Sequence, residues 1–157
     1  MKAKTVTGSD CSRQGYEFMA LQVPDSNSDE YRQRIEEYVA AQVANARKQE
    51  ILTIYTDLLD GIWQRMAPTL GRMTVVAMVE RAQRVTVRHH PVLRHIVVTR
   101  EGIDLTPVGE QMPAASRDEL HSTFKEFIIN IVDVLVVLTG DVLIRQVVDD
   151  FDSGETA

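Results

Sequence analysis

Apolar residues recur every three or four positions along most of the chain, and this pattern divides it into helices. The first helical stretch opens at Ser28, which can cap it together with Asn27. Asp29 and Glu30 then lie where a helix start favours acids. Tyr31, Ile35, Tyr38, Val39 and Val43 mark its apolar face, and Ile51, Tyr55, Leu58, Ile62 and Met66 resume it. Residues 44–50 lack large apolar side chains, so 29–66 is either one long helix or two with a break near Asn45. Gly61 weakens the end, and Pro68, which has no N–H, is expected to stop it. A third helix follows over residues 70–89, with Met73, Val76, Val79 and Ala82 on one face. Residues 96–105 read as a hairpin, Ile96–Thr99 and Ile103–Leu105, with Gly102 supplying the backbone freedom of the turn. Residues 106–115, with Pro107, Gly109 and Pro113, read as a linker.

The last helix is expected over 116–151. Ser116 and Glu119 form a capping box. Beyond it run two apolar stripes. One is Phe124, Ile128, Ile131, Leu135, Leu138 and Val142; the other is Ile129, Val132, Val136, Leu143 and Val147. One stripe is enough for a surface helix. A helix apolar on two sides needs cover on two sides, so part of it is expected to face a second subunit, a dimer first of all. The expected interface is Ile128, Ile131, Val132, Asp133, Leu135, Val136, Leu138 and Val142. Asp133 is the odd carboxylate in it, expected to set register across the dimer because Arg145 lies too far along the same helix to reach it. Gly140 marks a kink or a close approach of another helix. The segment is too rich in Asn and Asp to be read as a membrane span: Asn130, Asp133 and Asp141 all fall within it.

Together these elements predict a mainly α fold: a bundle of three to four long helices with one small hairpin, about 96–105, between the third and last helices. Residues 28–151 form a single helical domain. Residues 1–27 are expected to be a flexible tail with an apolar patch at Tyr16, Phe18, Met19, Leu21 and Val23, and residues 152–157 an acidic disordered tail.

Composition narrows the functional classes. The chain of 157 residues has one cysteine, Cys11, so no internal disulfide can form. With no apolar leader visible, the reading is cytoplasmic. The formal net charge of −6 is unevenly spread. Residues 81–100 hold five arginines and no acid, whereas 116–157 hold nine acids against three bases. Arg81, Arg84 and Arg88 share a helix face, and with Arg94 they are a candidate site for an acidic protein partner or another anion. Their plainer role is a solvated face neutralised by the acidic C-terminal third. A sequence pI near 5.2 and the lack of interleaved aromatics argue against nucleic acid.

His89, His90 and His95 are the candidate metal ligands. Adjacent residues point apart, Pro91 interrupts them and no cysteine accompanies them, so neither a metal nor another cofactor is expected. His121 lies near a helix start with Lys125 one turn on, as in phosphotransfer bundles, although Leu120-His121-Ser122 carries no phosphotransfer motif. No nucleophile–base pair or metal signature marks an enzyme. The expectation is therefore a non-enzymatic helical module for oligomerisation and protein interaction, a cytoplasmic signalling or regulatory adaptor. The alternatives are a ligand- or metal-binding sensor, with an apolar pocket walled by the two stripes and Trp63, and a histidine phosphotransfer-type bundle.

Overall fold

The computed structural model describes residues 26–153. Helices α1 (Ser26–Val43), α2 (Lys48–Leu70) and α3 (Arg72–Thr86) lead to a 3-10 turn (Pro91–His95). The hairpin β1 (Val97–Val98) and β2 (Ile103–Asp104), a short helix α4 (Thr106–Gln111), and helices α5 (Arg117–Thr139) and α6 (Asp141–Asp152) complete the described part. The mainly helical bundle with one small hairpin is thus the observed architecture. Residues 1–25 and 154–157, most of the two expected tails, lie outside the described residues.

Several boundaries differ from expectation for identifiable reasons. The 29–66 pattern is two helices, separated at residues 44–47; Glu50 Oε2 accepts from the Arg47 N–H at 2.7 Å and starts the second. Helix α2 does not stop at Pro68 but runs to Leu70. A proline so near the end removes only one hydrogen bond, and the Gly71 N–H still donates to the Ala67 carbonyl at 2.9 Å. The hairpin strands shrink to two residues each, with Val97 opposite Asp104 and Val98 opposite Ile103. Part of the supposed linker 106–115 coils into α4, whose Val108 is fully buried.

The main correction concerns the last helix. It is not continuous to residue 151. It ends at Thr139 and restarts at Asp141, with Gly140 between them at φ 65° and ψ −151°. An added Cβ on Gly140 would meet nothing within 4 Å, so the glycine serves the bend and not a close helix approach. The capping box is present as expected: Glu119 N–H donates to Ser116 Oγ at 3.1 Å, and Ser116 N–H donates to Glu119 Oε2 at 2.7 Å.

Cross-chain contacts set the helix directions. Arg32 on α1 pairs with Asp133 on α5, while Arg117 at the start of α5 donates to the carbonyls of Val43 and Ala46 at the end of α1, the latter at 2.8 Å. Helices α1 and α5 are therefore antiparallel. So are α3 and α5, since Thr86 meets Asn130 and His90 meets Thr123. After the bend, α6 folds back along α1: Phe151 stacks on Tyr38 with ring centroids 4.9 Å apart. Arg34 pairs with Asp149 at 3.3 Å and with Asp152, and Arg65 pairs with Asp150 at 2.7 Å. The acidic stretch beginning at Asp149 is thus helical and ion-paired, and Asp152 belongs to α6, not to a disordered tail.

Helix α5 sits at the centre, packed against α1, α2, α3 and α6. Phe124, Phe127 and Ile131 on it have no exposed surface. Among the described residues no helix is long and apolar enough to cross a membrane.

An alanine at position 140 would have to hold the same positive φ, at a cost of about 1–3 kcal/mol. Gly140→Ala is expected to lower the melting temperature by several degrees, at roughly 2–4 °C per kcal/mol for a chain of this size. Circular dichroism checks this, and an unchanged midpoint would mean that the bend does not need the glycine.

Candidate functional site

Helix α3 is amphipathic. Val75, Met78, Val79, Ala82 and Thr86 are buried against the bundle. The spacing of three and four that buries them turns Arg81 and Arg84 to the outside; α3 ends at Thr86, not at residue 89 as expected, so Arg88 lies in the turn just beyond it, and all three are exposed. Arg94 is exposed on the 3-10 turn that follows. Two of the four are oriented by backbone carbonyls: Arg84 Nε donates to Glu80 O at 3.3 Å, and Arg94 Nε to Pro91 O at 3.0 Å.

None of the four meets a carboxylate among the described residues. The neutralisation expected from the acidic C-terminal third goes elsewhere. Asp133, Asp149, Asp150 and Asp152 are held by Arg32, Arg34 and Arg65 on α1 and α2, and Asp141 faces Arg145 at 3.9 Å. From residue 72 to residue 100 the sequence carries six arginines and one acid, Glu80, so the face of α3 and its turn is a local excess of positive charge on an acidic protein.

This face stands on a polar latch. Gln83 Nε2 donates to the carbonyls of Leu93, at 2.7 Å, and Ile96, at 3.2 Å, which pins the 3-10 turn back onto α3. Below it, Asn130 Nδ2 donates to Thr86 Oγ1 at 2.8 Å, and that hydroxyl donates to Ala82 O at 2.8 Å. At the helix end the Glu126 carboxylate is gripped from two sides, by His89 Nδ1 at 2.6 Å and His90 Nε2 at 2.8 Å. Thr123 Oγ1 meets the other nitrogen of His90 at 3.2 Å. Partial burial pushes the pKa of Glu126 up, but the hydrogen bonds and charges of the two imidazoles outweigh it and hold the carboxyl below its usual range.

The latch revises the metal reading. His89 and His90 do converge, but on Glu126, through two N–H···O contacts that use the carboxylate as acceptor. His95 lies apart and exposed at the end of the turn. Among the described residues no three His, Cys, Asp or Glu side chains are placed to hold a metal ion.

The expected subunit interface is mostly interior. Ile128, Ile131, Val132 and Leu135 are buried within the chain at 2 % exposure or less, and Val136 is half-buried. The cover comes from the chain's own helices α1, α2, α3 and α6, the last of which begins after the bend at Gly140. Asp133 is taken by Arg32 of the same chain. Only Leu138 and Val142, at 54 % and 76 %, stay exposed, beside Val137 at 75 %.

His121 has a partner that no periodicity reveals. The hydroxyl of Tyr55, whose side chain is fully buried, lies 2.8 Å from His121 Nδ1 and donates to the His121 carbonyl at 3.1 Å. Both contacts are satisfied when Nδ1 carries the proton and donates to the phenol. Burial lowers the His121 pKa, and Lys125 and Arg117 lower it further against the opposing pull of Asp118. Burial pushes the Tyr55 phenol up. Burial and the two cations thus both favour the neutral imidazole at His121.

Trp63, Tyr55 and Met66, expected beside an apolar pocket, are buried core residues. A groove of about 590 Å³ runs instead between α1 and α2, lined in part by Tyr38, Gln42, Asp57, Asp60 and Gln64. Its lining is mixed, with Ile54 and Leu58 beside the polar groups, and Asp60 is raised in pKa by partial burial and by Asp57.

Compared with family models, curated proteins and solved structures, the chain matches none of them.

Because the Glu126 pKa is lowered on folding, its contribution to stability is complete above the unfolded value, 4.5, and disappears as pH falls through the lower folded value. The melting temperature of the wild type is expected to fall as pH drops below 4.5, and that of Glu126→Gln to fall less. Parallel pH–melting curves would remove the clamp from the account of how α3 is held on α5.

Proposed function

We propose that the protein is a non-enzymatic interaction module, of the adaptor or regulatory kind, that docks an acidic protein surface on the arginine face of α3 and its turn. The observation that carries this reading is the contrast between two sets of arginines. Arg32, Arg34 and Arg65 are taken up by the acids of α5 and α6. Arg81, Arg84, Arg88 and Arg94 are exposed and meet no carboxylate among the described residues. Arginine presents a rigid fork of donors suited to carboxylates, and a latched helix holds several such forks in fixed relation. Ile128, Ile131, Val132 and Leu135 of the expected dimer seam play no part in this reading, because they are covered from within.

The test is binding of a fluorescent glutamate-rich peptide, followed by anisotropy across a salt series. The wild type is expected to bind with an affinity that drops steeply with salt. Arg81→Glu/Arg84→Glu/Arg88→Glu is expected to bind at least tenfold more weakly with its helical circular dichroism unchanged. Equal binding by the folded variant, or a preference for duplex DNA over the peptide, would overturn the reading.

One observation favours a second reading, a phosphate-carrying bundle helix. The His121 ring is fixed through Nδ1 by Tyr55, which leaves Nε2 as the nucleophilic nitrogen, and Lys125, one turn on, supplies positive charge for a phosphoryl group. Attack of the Nε2 lone pair on an acyl phosphate forms the N–P bond and releases the carboxylate. Incubation with acetyl phosphate is then expected to leave acid-labile phosphate on the wild type and none on His121→Gln. Absence of label, or its survival in that variant, eliminates this reading.

A further inference from the structure

We infer that the groove between α1 and α2 is a second docking surface, one that receives a basic amphipathic helix of another protein. The groove exists because its two walls are held by other elements. Helix α1 packs mainly on α5 and α6, and α2 mainly on α3 and α5. The end of α6 stands between them. Phe151 stacks on Tyr38 of α1, and the Arg65 guanidinium of α2 lies 5.8 Å from the centroid of the same ring. The two helices are joined at residues 44–47, but they do not close on each other along their length.

The hollow that results is long. One part, of about 590 Å³, is lined by Tyr38, Asp57 and Gln64 among others. A second part, of about 480 Å³, is lined in part by Ala41, Asn45, Gln49 and Thr53, and the two share Gln42 and Ile54. From Gln49 to Gln64 the α2 wall advances about 22 Å, or roughly four turns. A trough of that length matches a rod better than a compact ligand. Its floor is apolar and low: Tyr38 and Ile54 are half-buried, Leu58 is buried, and Ala41, Ala46 and Gly61 carry little or no side chain. A floor of this kind takes the apolar stripe of an amphipathic helix.

Charge decides what flanks that stripe. Residues 35–46 hold Glu36 and Glu37 and no base, and residues 49–64 hold Glu50, Asp57 and Asp60 and no base. None of these five carboxylates forms an ion pair among the described residues. Glu50, Asp57 and Asp60 line the groove, all on the α2 wall. Partial burial, and then the charge of Asp57, raise the Asp60 pKa, as expected of acids that lack a cation. Arg65, the one cation among the described lining residues, is already held by Asp150. Glu50 and Asp57 are two helical turns apart, so lysines or arginines at i and i+7 of the partner match them. The net charge of −6 draws such a partner in at long range and repels a second copy of the chain, which favours the foreign helix as occupant.

A synthetic amphipathic peptide tests the placement. It has roughly 15 residues, enough for four turns, with leucines at spacings of three and four and lysines elsewhere. It carries fluorescein, and its anisotropy is followed with the full chain. The wild type is expected to bind, with an affinity that falls as salt rises. Asp57→Asn/Asp60→Asn is expected to bind about tenfold more weakly. Glu30→Gln/Glu80→Gln removes the same charge away from the groove and is expected to stay within about twofold of the wild type. Ala41→Trp changes no charge and fills the trough at an exposed position, so the core is untouched, and it is expected to bind about tenfold more weakly. Circular dichroism checks that each variant is folded. No binding by the wild type, undiminished binding by folded Ala41→Trp, equal losses in the two charge pairs, or a wild-type dimer that Ala41→Trp dissociates in light scattering would each overturn the inference.

Discussion

The structure depends on one constraint: α5 is apolar around so much of its circumference that it has to be surrounded. Four other helices do this. Helix α1 lies antiparallel on one side, α3 antiparallel on another, α2 carries Tyr55 against Phe124 with ring centroids 5.3 Å apart, and α6 returns over what is left. Hydrophobic burial has no direction of its own. What gives the packing its register is the set of polar links at the rims of these contacts: Arg32 on Asp133, Arg117 on the end of α1, Asn130 on Thr86, and the two imidazoles on Glu126.

The helices were legible in the sequence because each buries one face, although in α3 that face is Val75, Met78, Val79 and Ala82, and Met73, expected on it, is 57 % exposed. Ile51, Tyr55, Leu58, Ile62 and Met66 are all buried. The capping box at Ser116 was legible because it is local, closed within four residues. The double stripe beyond it was read correctly as a surface needing two covers, but its second cover was assigned to another subunit. The error lay in Gly140. A glycine in a helical pattern costs only about 1 kcal/mol and does not by itself announce a bend. Once the chain turns there, the rest of the expected helix becomes one of the elements packed against α5.

The candidate site was only half legible. The arginine face follows from spacing alone. Its lack of acid partners does not, because that depends on where the acids of α5 and α6 go, and those pairings join residues 85 to 118 positions apart. The same holds for the imidazole grip on Glu126, 36 and 37 residues away, and for Tyr55 and His121, 66 apart. Composition foretells a charge balance. It does not say which cations are consumed in reaching it.

The bridges from Arg34 to Asp149 and Asp152 have a bearing on the order in which the bundle assembles. They join residues 115 and 118 positions apart. Closing so long a loop costs entropy that no single bridge repays, so these contacts form together with Tyr38 on Phe151 and Arg65 on Asp150, once the intervening helices have packed. Helices α1 and α6 thus dock late and part as one unit.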